Sequence, residues 1–263
     1  MSRMDDPRPV WRVNVSPRFT ALEMGEYMAT DEGPRETFAQ NMKYERLART
    51  LTYRRVYQSV ASFLSSPTRD LRILERCRKE LNDELAGESD TQRSINIKHE
   101  LAALATFERS LNSLPMDGVE VVRASHIGGK LLYGRMSISV RPTVTLVRHR
   151  PRATDLRGAL LLDIAKGVPI KTARAAERAK EAMEYTAMLL HEYVDGQLCV
   201  QGEKPARDLC KVFHCFRQES VEPPSAYKRE LRNLEAVCRQ LSRDWDSIDP
   251  PASFDAAKAT CRK

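Results

Sequence analysis

The sequence predicts an α/β (α+β) protein, a helical N-terminal region joined to a mixed sheet-and-helix core and closed by a C-terminal helix. Three observations carry this. Apolar residues keep helical spacing through most of the first hundred positions. After Pro115-Met116-Asp117-Gly118 the spacing changes to period two with β-branched residues. One Ala-, Glu- and Lys-rich segment then separates two further apolar runs of strand character.

After a short extended start, Trp11 to Val15, Ser16-Pro17 introduces a helix over Phe19 to Ala29 and Gly33-Pro34 one over Glu36 to Leu47. A third, Thr52 to Leu64, stops before Ser65-Ser66-Pro67. In Thr68 to Ala86, Leu71, Leu74, Cys77, Leu81 and Leu85 form one stripe that ends at Gly87. The next helix opens between Ser89 and Gln92, presents Ile97, Leu101, Leu104, Phe107 and Leu111, and closes at Leu114-Pro115. Val119 to Arg123 is then the first core strand, and Gly128-Gly129 a turn. One long extended stretch follows from Leu131 to Arg148, with Pro142 marking a bulge or an edge. Arg150 to Arg157 is a polar loop. Gly158 to Ile164 has the unbroken apolar character of a strand buried on both faces. Thr172 to Val194 is a strong helix, Leu209 to Phe216 a strand, and Pro223-Pro224-Ser225 leads into a last helix that reaches Ile248. The tail from Asp249 is expected to fray. The expected organisation is 1–88 as a helical region packed on the core, 89–217 as the core, and 218–263 as the closing helix and tail.

With 263 residues, 41% hydrophobic and 30% charged, the chain can bury a large core and lies outside disordered and collagen-like compositions. Met1 to Val10 is polar, and no apolar run approaches the roughly 18 residues that span a bilayer, so a soluble, cytoplasmic chain without membrane contact is expected. Six scattered cysteines are expected as reduced thiols. Cys199, Cys210, His214 and Cys215 lack paired Cys-x-x-Cys spacing, and strand alternation sends His214 and Cys215 to opposite faces.

Charge is the most uneven property of the sequence. Between Val121 and Arg157 stand eight bases, Arg123, Lys130, Arg135, Arg141, Arg148, Arg150, Arg152 and Arg157, against the single acid Asp155, a net of +7 that equals the formal charge of the whole protein. Arginine's planar fork suits phosphate, so this stretch predicts a polyanion-binding surface with strong salt dependence.

Set in order, residues 91 to 217 read α-β-β-β-α-β, and this series resembles the core of the PD-(D/E)XK nuclease superfamily. The resemblance implies an acid on the second core strand and an acid-x-Lys pair on the third, holding magnesium for phosphodiester cleavage. On the third strand it implies Asp163 and Lys166 as the catalytic pair, although two residues separate them where the family has one. On the second strand Pro142 is followed by Thr143 where the acid would stand. Asp163, with Glu100 or Glu108 from the preceding helix, is the implied metal set. Glu181 and Tyr185, at i, i+4, resemble the supporting Gln-x-x-x-Tyr feature of some exonuclease-like members. The expectation is therefore a DNA- or other nucleic-acid-binding protein whose cleavage is lost or reduced, with magnesium as the cofactor if it is active and none otherwise. The other reading is a non-enzymatic module whose basic sheet meets an acidic protein. No Gly-x-Ser-x-Gly elbow, phosphate-binding Gly-rich loop or His-Glu-x-x-His helix is present.

Overall fold

A computed structural model describes residues 10–47, 53–124, 129–164 and 170–262. It is a mixed α/β fold. The N-terminal elements are β1 (Trp11–Asn14), β2 (Arg18–Thr20), α1 (Ala21–Ala29), α2 (Glu32–Lys43), β3 (Tyr44–Arg46), α3 (Arg54–Leu64) and α4 (Arg72–Gly87). Then come α5 (Thr91–Ser110), β4 (Glu120–Arg123), β5 (Gly129–Tyr133), β6 (Met136–Val140), β7 (Val144–Arg148), β8 (Asp155–Asp163) and α6 (Ala173–Tyr193). The chain finishes with β9 (Glu203–His214), β10 (Glu219–Val221), α7 (Lys228–Asp244) and β11 (Ala259–Arg262). Among the described residues no helix is long and apolar enough to cross a membrane.

A five-stranded sheet, β10-β9-β8-β7-β4, organises the rest. β4, β7 and β8 pair antiparallel in sequence, whereas β9 lies parallel to β8 after the crossover through α6. β8 is buried on both faces, as its apolar run requires: Ala159 and Leu161 face one core, Leu160 and Leu162 the other. The first core holds α1, α6, α7 and β6, with Trp245 fully buried. The second holds α3, α4 and α5. Helices α1 and α2 thus pack in the first core and α3 and α4 in the second, so the N-terminal helices cover both faces of the sheet.

Local chemistry explains several boundaries that differ from expectation. α1 starts at Ala21 because Thr20 and Glu23 form a reciprocal capping box, which leaves Phe19 in β2. α2 starts at Glu32, four residues early, because Pro34 sits in its first turn, where its missing N–H costs nothing; it ends at Lys43, so Tyr44 to Arg46 become β3. Leu71 precedes α4 and is 55% exposed, outside the buried stripe of Leu74, Cys77 and Leu81. Thr52 and Gly128 lie outside the described residues.

The long strand expected from Leu131 to Arg148 is three strands in two sheets. A two-residue loop, Gly134-Arg135 with Gly134 at φ 64°, folds β5 onto β6. Pro142, which cannot donate to a ladder, stands between β6 and β7. The β5-β6 hairpin joins β2 in a separate sheet, inserted between core strands β4 and β7. The expected polar loop ends early, since β8 begins at Asp155, and β9 begins at Glu203, six residues ahead of expectation. The tail does not fray. Trp245 Nε1 donates to the Asn14 carbonyl at 2.9 Å, Lys43 Nζ donates to the Ile248 carbonyl at 2.9 Å, and β11 pairs in parallel with β1.

Candidate functional site

The carboxyl ends of the parallel strands β8 and β9 open into a cleft of about 390 Å³ between α1 and α6. Carboxyl ends of parallel strands are where open α/β sheets place ligands. Leu22, Phe38 and Met183 give it an apolar lining; Glu26, Asp163 and His214 contribute ionisable groups, and Arg178 and Arg217 guanidinium groups. The backbone creates this juxtaposition. α1 crosses α6 at Gly25, where a Cβ would lie 2.3 Å from the Ala182 carbonyl oxygen, so only glycine allows the approach that sets Glu26 over the strand ends.

Asp163 ends β8 and His214 ends β9, paired in register. His214 Nε2 lies 3.7 Å from Asp163 Oδ2. On the other side of the ring the Arg217 backbone N–H donates to His214 Nδ1 at 3.3 Å, so the neutral ring carries its proton on Nε2, towards Asp163. Burial holds the imidazole below its usual pKa, against the opposing pull of Asp163. Cys215, the next residue, packs in the opposite core, as strand alternation demands. Glu26 is exposed to solvent at the cleft and is partly desolvated by the residues packed beside it. That desolvation, reinforced by the charges of Asp163 and Glu23, pushes its carboxyl up to about 7. Tyr57 donates to the Leu162 carbonyl at 3.1 Å beneath the same strand end.

The cations are partly committed. Arg178 Nη1 donates to Asp31 Oδ2 at 3.1 Å, and Arg217 lies 2.9 Å from Glu219 through Nε and 2.9 Å from Met183 Sδ through Nη2. Arg178 remains 40% exposed.

The residues expected to act together are distributed differently. Of the catalytic pair, Asp163 faces the cleft and Lys166 lies outside the described residues. Glu100 receives Arg55 Nε at 2.9 Å, and Glu108 pairs with Arg78, so both carboxylates are drawn into contacts among α3, α4 and α5. Glu181 and Tyr185 adjoin one another on α6 but do not line the cleft. Thr143 is next to β8 on the Asp163 side, yet its hydroxyl oxygen accepts from the Leu162 N–H at 3.1 Å. Among the described residues no three His, Cys, Asp or Glu side chains are placed to share a metal ion.

The eight bases do not form one surface. Lys130 and Arg135 are on the β5-β6 hairpin, and Arg135 pairs with Asp246 at 3.1 Å. Arg123 and Arg141 lie at the end of the sheet that carries Asp163, because Arg123 registers with Val144 and Val144 with Leu160. Arg148, Arg150, Arg152 and Arg157 sit at the opposite end. There Arg157 grips Glu203 with two bonds of 2.5 Å, and Arg148 holds Asp208 at 2.7 Å. Among the described residues no acid pairs with Arg141, Arg150 or Arg152.

Glu26 and His214 are the site residues that sequence reasoning missed as a pair. Comparison of the chain with protein-family models, with curated proteins and with solved structures gives no match.

Proposed function

We propose that the protein binds nucleic acid on a divergent PD-(D/E)XK-like core whose metal-dependent cleavage is lost or strongly reduced. The observation that carries the reading is the sheet: α5, β4, β7, β8, α6 and β9 follow an α-β-β-β-α-β order, with the last strand parallel to the third and Asp163 at the third strand's end beside a cleft. The loss follows from the donor set. Magnesium takes hard anionic oxygens. The second core strand offers Thr143, whose oxygen is already engaged by β8, while Glu100 and Glu108 serve arginines elsewhere. These residues do not fit a resident magnesium, and no cleavage step is assigned to one.

Phosphate contact is assigned to the Asp163 end of the sheet, where Arg178 and Arg217 line the cleft and Arg141 precedes β7 at the same end. At the other end Arg148 and Arg157 are held by Asp208 and Glu203. A titration of single- and double-stranded DNA at about 0.1 M and about 0.3 M salt tests the proposal: binding at the lower concentration that weakens steeply at the higher is expected. Absence of binding at both would favour an acidic protein as partner. Magnesium-dependent cleavage that Asp163→Ala abolishes would restore the enzyme.

A further inference from the structure

The cleft combines three features that point to one kind of ligand. Its volume of about 390 Å³ lies within the roughly 300–1,000 Å³ of small-ligand sites, ample for a single nucleotide. One side is apolar and includes an aromatic ring, Phe38, beside the thioether of Met183. The other side holds two carboxyl groups, Asp163 and Glu26, and Glu26, raised to about 7, retains its proton at mildly acidic pH. A protonated carboxyl donates and a neighbouring carboxyl oxygen accepts, and this donor beside an acceptor complements a ring nitrogen beside an exocyclic amino group, the edge of cytosine or adenine. Uracil presents the reverse arrangement.

We propose that this cleft holds one unstacked nucleotide, with its base laid on Leu22, Phe38 and Met183, its amino-bearing edge on Glu26 and Asp163, and its phosphate on Arg178 and Arg217. The inference rests on the nucleic-acid reading for its biological context, and it adds the ligand class of the site. Bases lifted out of a stack are recognised in this way, by an apolar platform and by bonds to the pairing edge. The charged groups that face Glu26 are Glu23 on its own helix, Asp163 on β8, Arg178 on α6, and His214 and Arg217 at and after the end of β9. Glu23 and Asp163 keep its proton on, and ionisation of Glu26 removes the donor.

The test is a heteronuclear NMR titration of the full chain with cytidine monophosphate and with uridine monophosphate, at about pH 6 and about pH 8.5. Cytidine monophosphate is expected to shift the cleft resonances and to bind about tenfold tighter than the uridine compound at the lower pH, and to weaken about tenfold at the higher pH. Glu26→Gln, which keeps a donor at every pH, should retain the affinity and lose the pH dependence. Phe38→Ala should weaken binding about tenfold. Equal binding of the two nucleotides, shifts that bypass the cleft, or a Glu26→Gln variant that still titrates would overturn the proposal. Cytidine binding by a protein without DNA affinity would leave this site standing and remove the function proposed above. DNA binding without any mononucleotide effect would do the reverse.

Discussion

The two ends of the five-stranded sheet carry similar kinds of side chain and use them in opposite ways. At the end beyond Arg148 and Arg157, charges meet in matched pairs: Arg157 with Glu203, Arg148 with Asp208, and His149 bridging Glu120 at 2.7 Å and Asp155 at 2.8 Å. The acids raise the His149 pKa, through Glu120 first. At the Asp163 end, two acidic side chains, Glu26 and Asp163, face one cleft, and burial disfavours the charged form of His214. Matched pairs lower the energy of the fold on their own. Like charges in a shared hollow do so only when a proton or a ligand joins them, which is why perturbed groups in clefts mark functional sites.

Substitutions at the two ends should therefore separate stability from binding. The largest stability effect is expected from Arg157→Ala. Its side chain is 18% exposed and that of Glu203 12%, so the change strands a shielded carboxylate, although the Val200 N–H still donates to it at 3.0 Å. A loss of about 2 kcal/mol, seen as a thermal midpoint about 5 °C lower, with DNA affinity unchanged, is the expected outcome.

A smaller effect of opposite sign is expected from Glu26→Gln. The Glu26 carboxyl titrates near 7 in the folded chain and at the ordinary 4.5 when unfolded, so the folded state holds its proton more tightly between these values. Stability associated with that proton is present at acid pH and is lost as pH rises from about 4.5 through about 7. Glutamine never ionises. The variant should match wild type at about pH 4.5 and exceed it above about pH 7.5, by about 1 kcal/mol once screening by water in the open cleft is allowed for. Thermal melts across that range check it, and a gain at acid pH would contradict the assignment.

Much of this contrast lies beyond what sequence alone carries. Strand β8 was legible because Leu160-Leu161-Leu162 leaves no polar face, and α5 because Ile97, Leu104 and Phe107 recur at helical spacing and are all buried. The β5-β6 hairpin was misjudged because period two continues through Tyr133 and Met136, with Gly134 as the turn signal between them. The tail was misjudged because its order depends on partners far away in the chain, β1, which pairs with β11, and Gln40, whose Nε2 donates to the Asp249 carbonyl. The site was half legible. Asp163 stood out at the end of an apolar strand, whereas Glu26 is an ordinary helix-surface glutamate until the Gly25 crossing brings α1 onto α6. The charge count located the arginines and gave no sign of their partners, since Glu203 and Asp208 belong to a strand reached only after the α6 crossover.

The most direct measurement compares DNA affinity after neutralising each end in turn, with Arg178→Gln and Arg217→Gln combined for the cleft and Arg148→Gln and Arg150→Gln combined for the opposite end of the sheet. The account predicts that the cleft variant weakens binding about tenfold or more and flattens its salt dependence by about two phosphate contacts, while the other variant stays within about twofold of wild type. Equal losses from the two variants, or a larger loss from Arg148→Gln with Arg150→Gln, would contradict it.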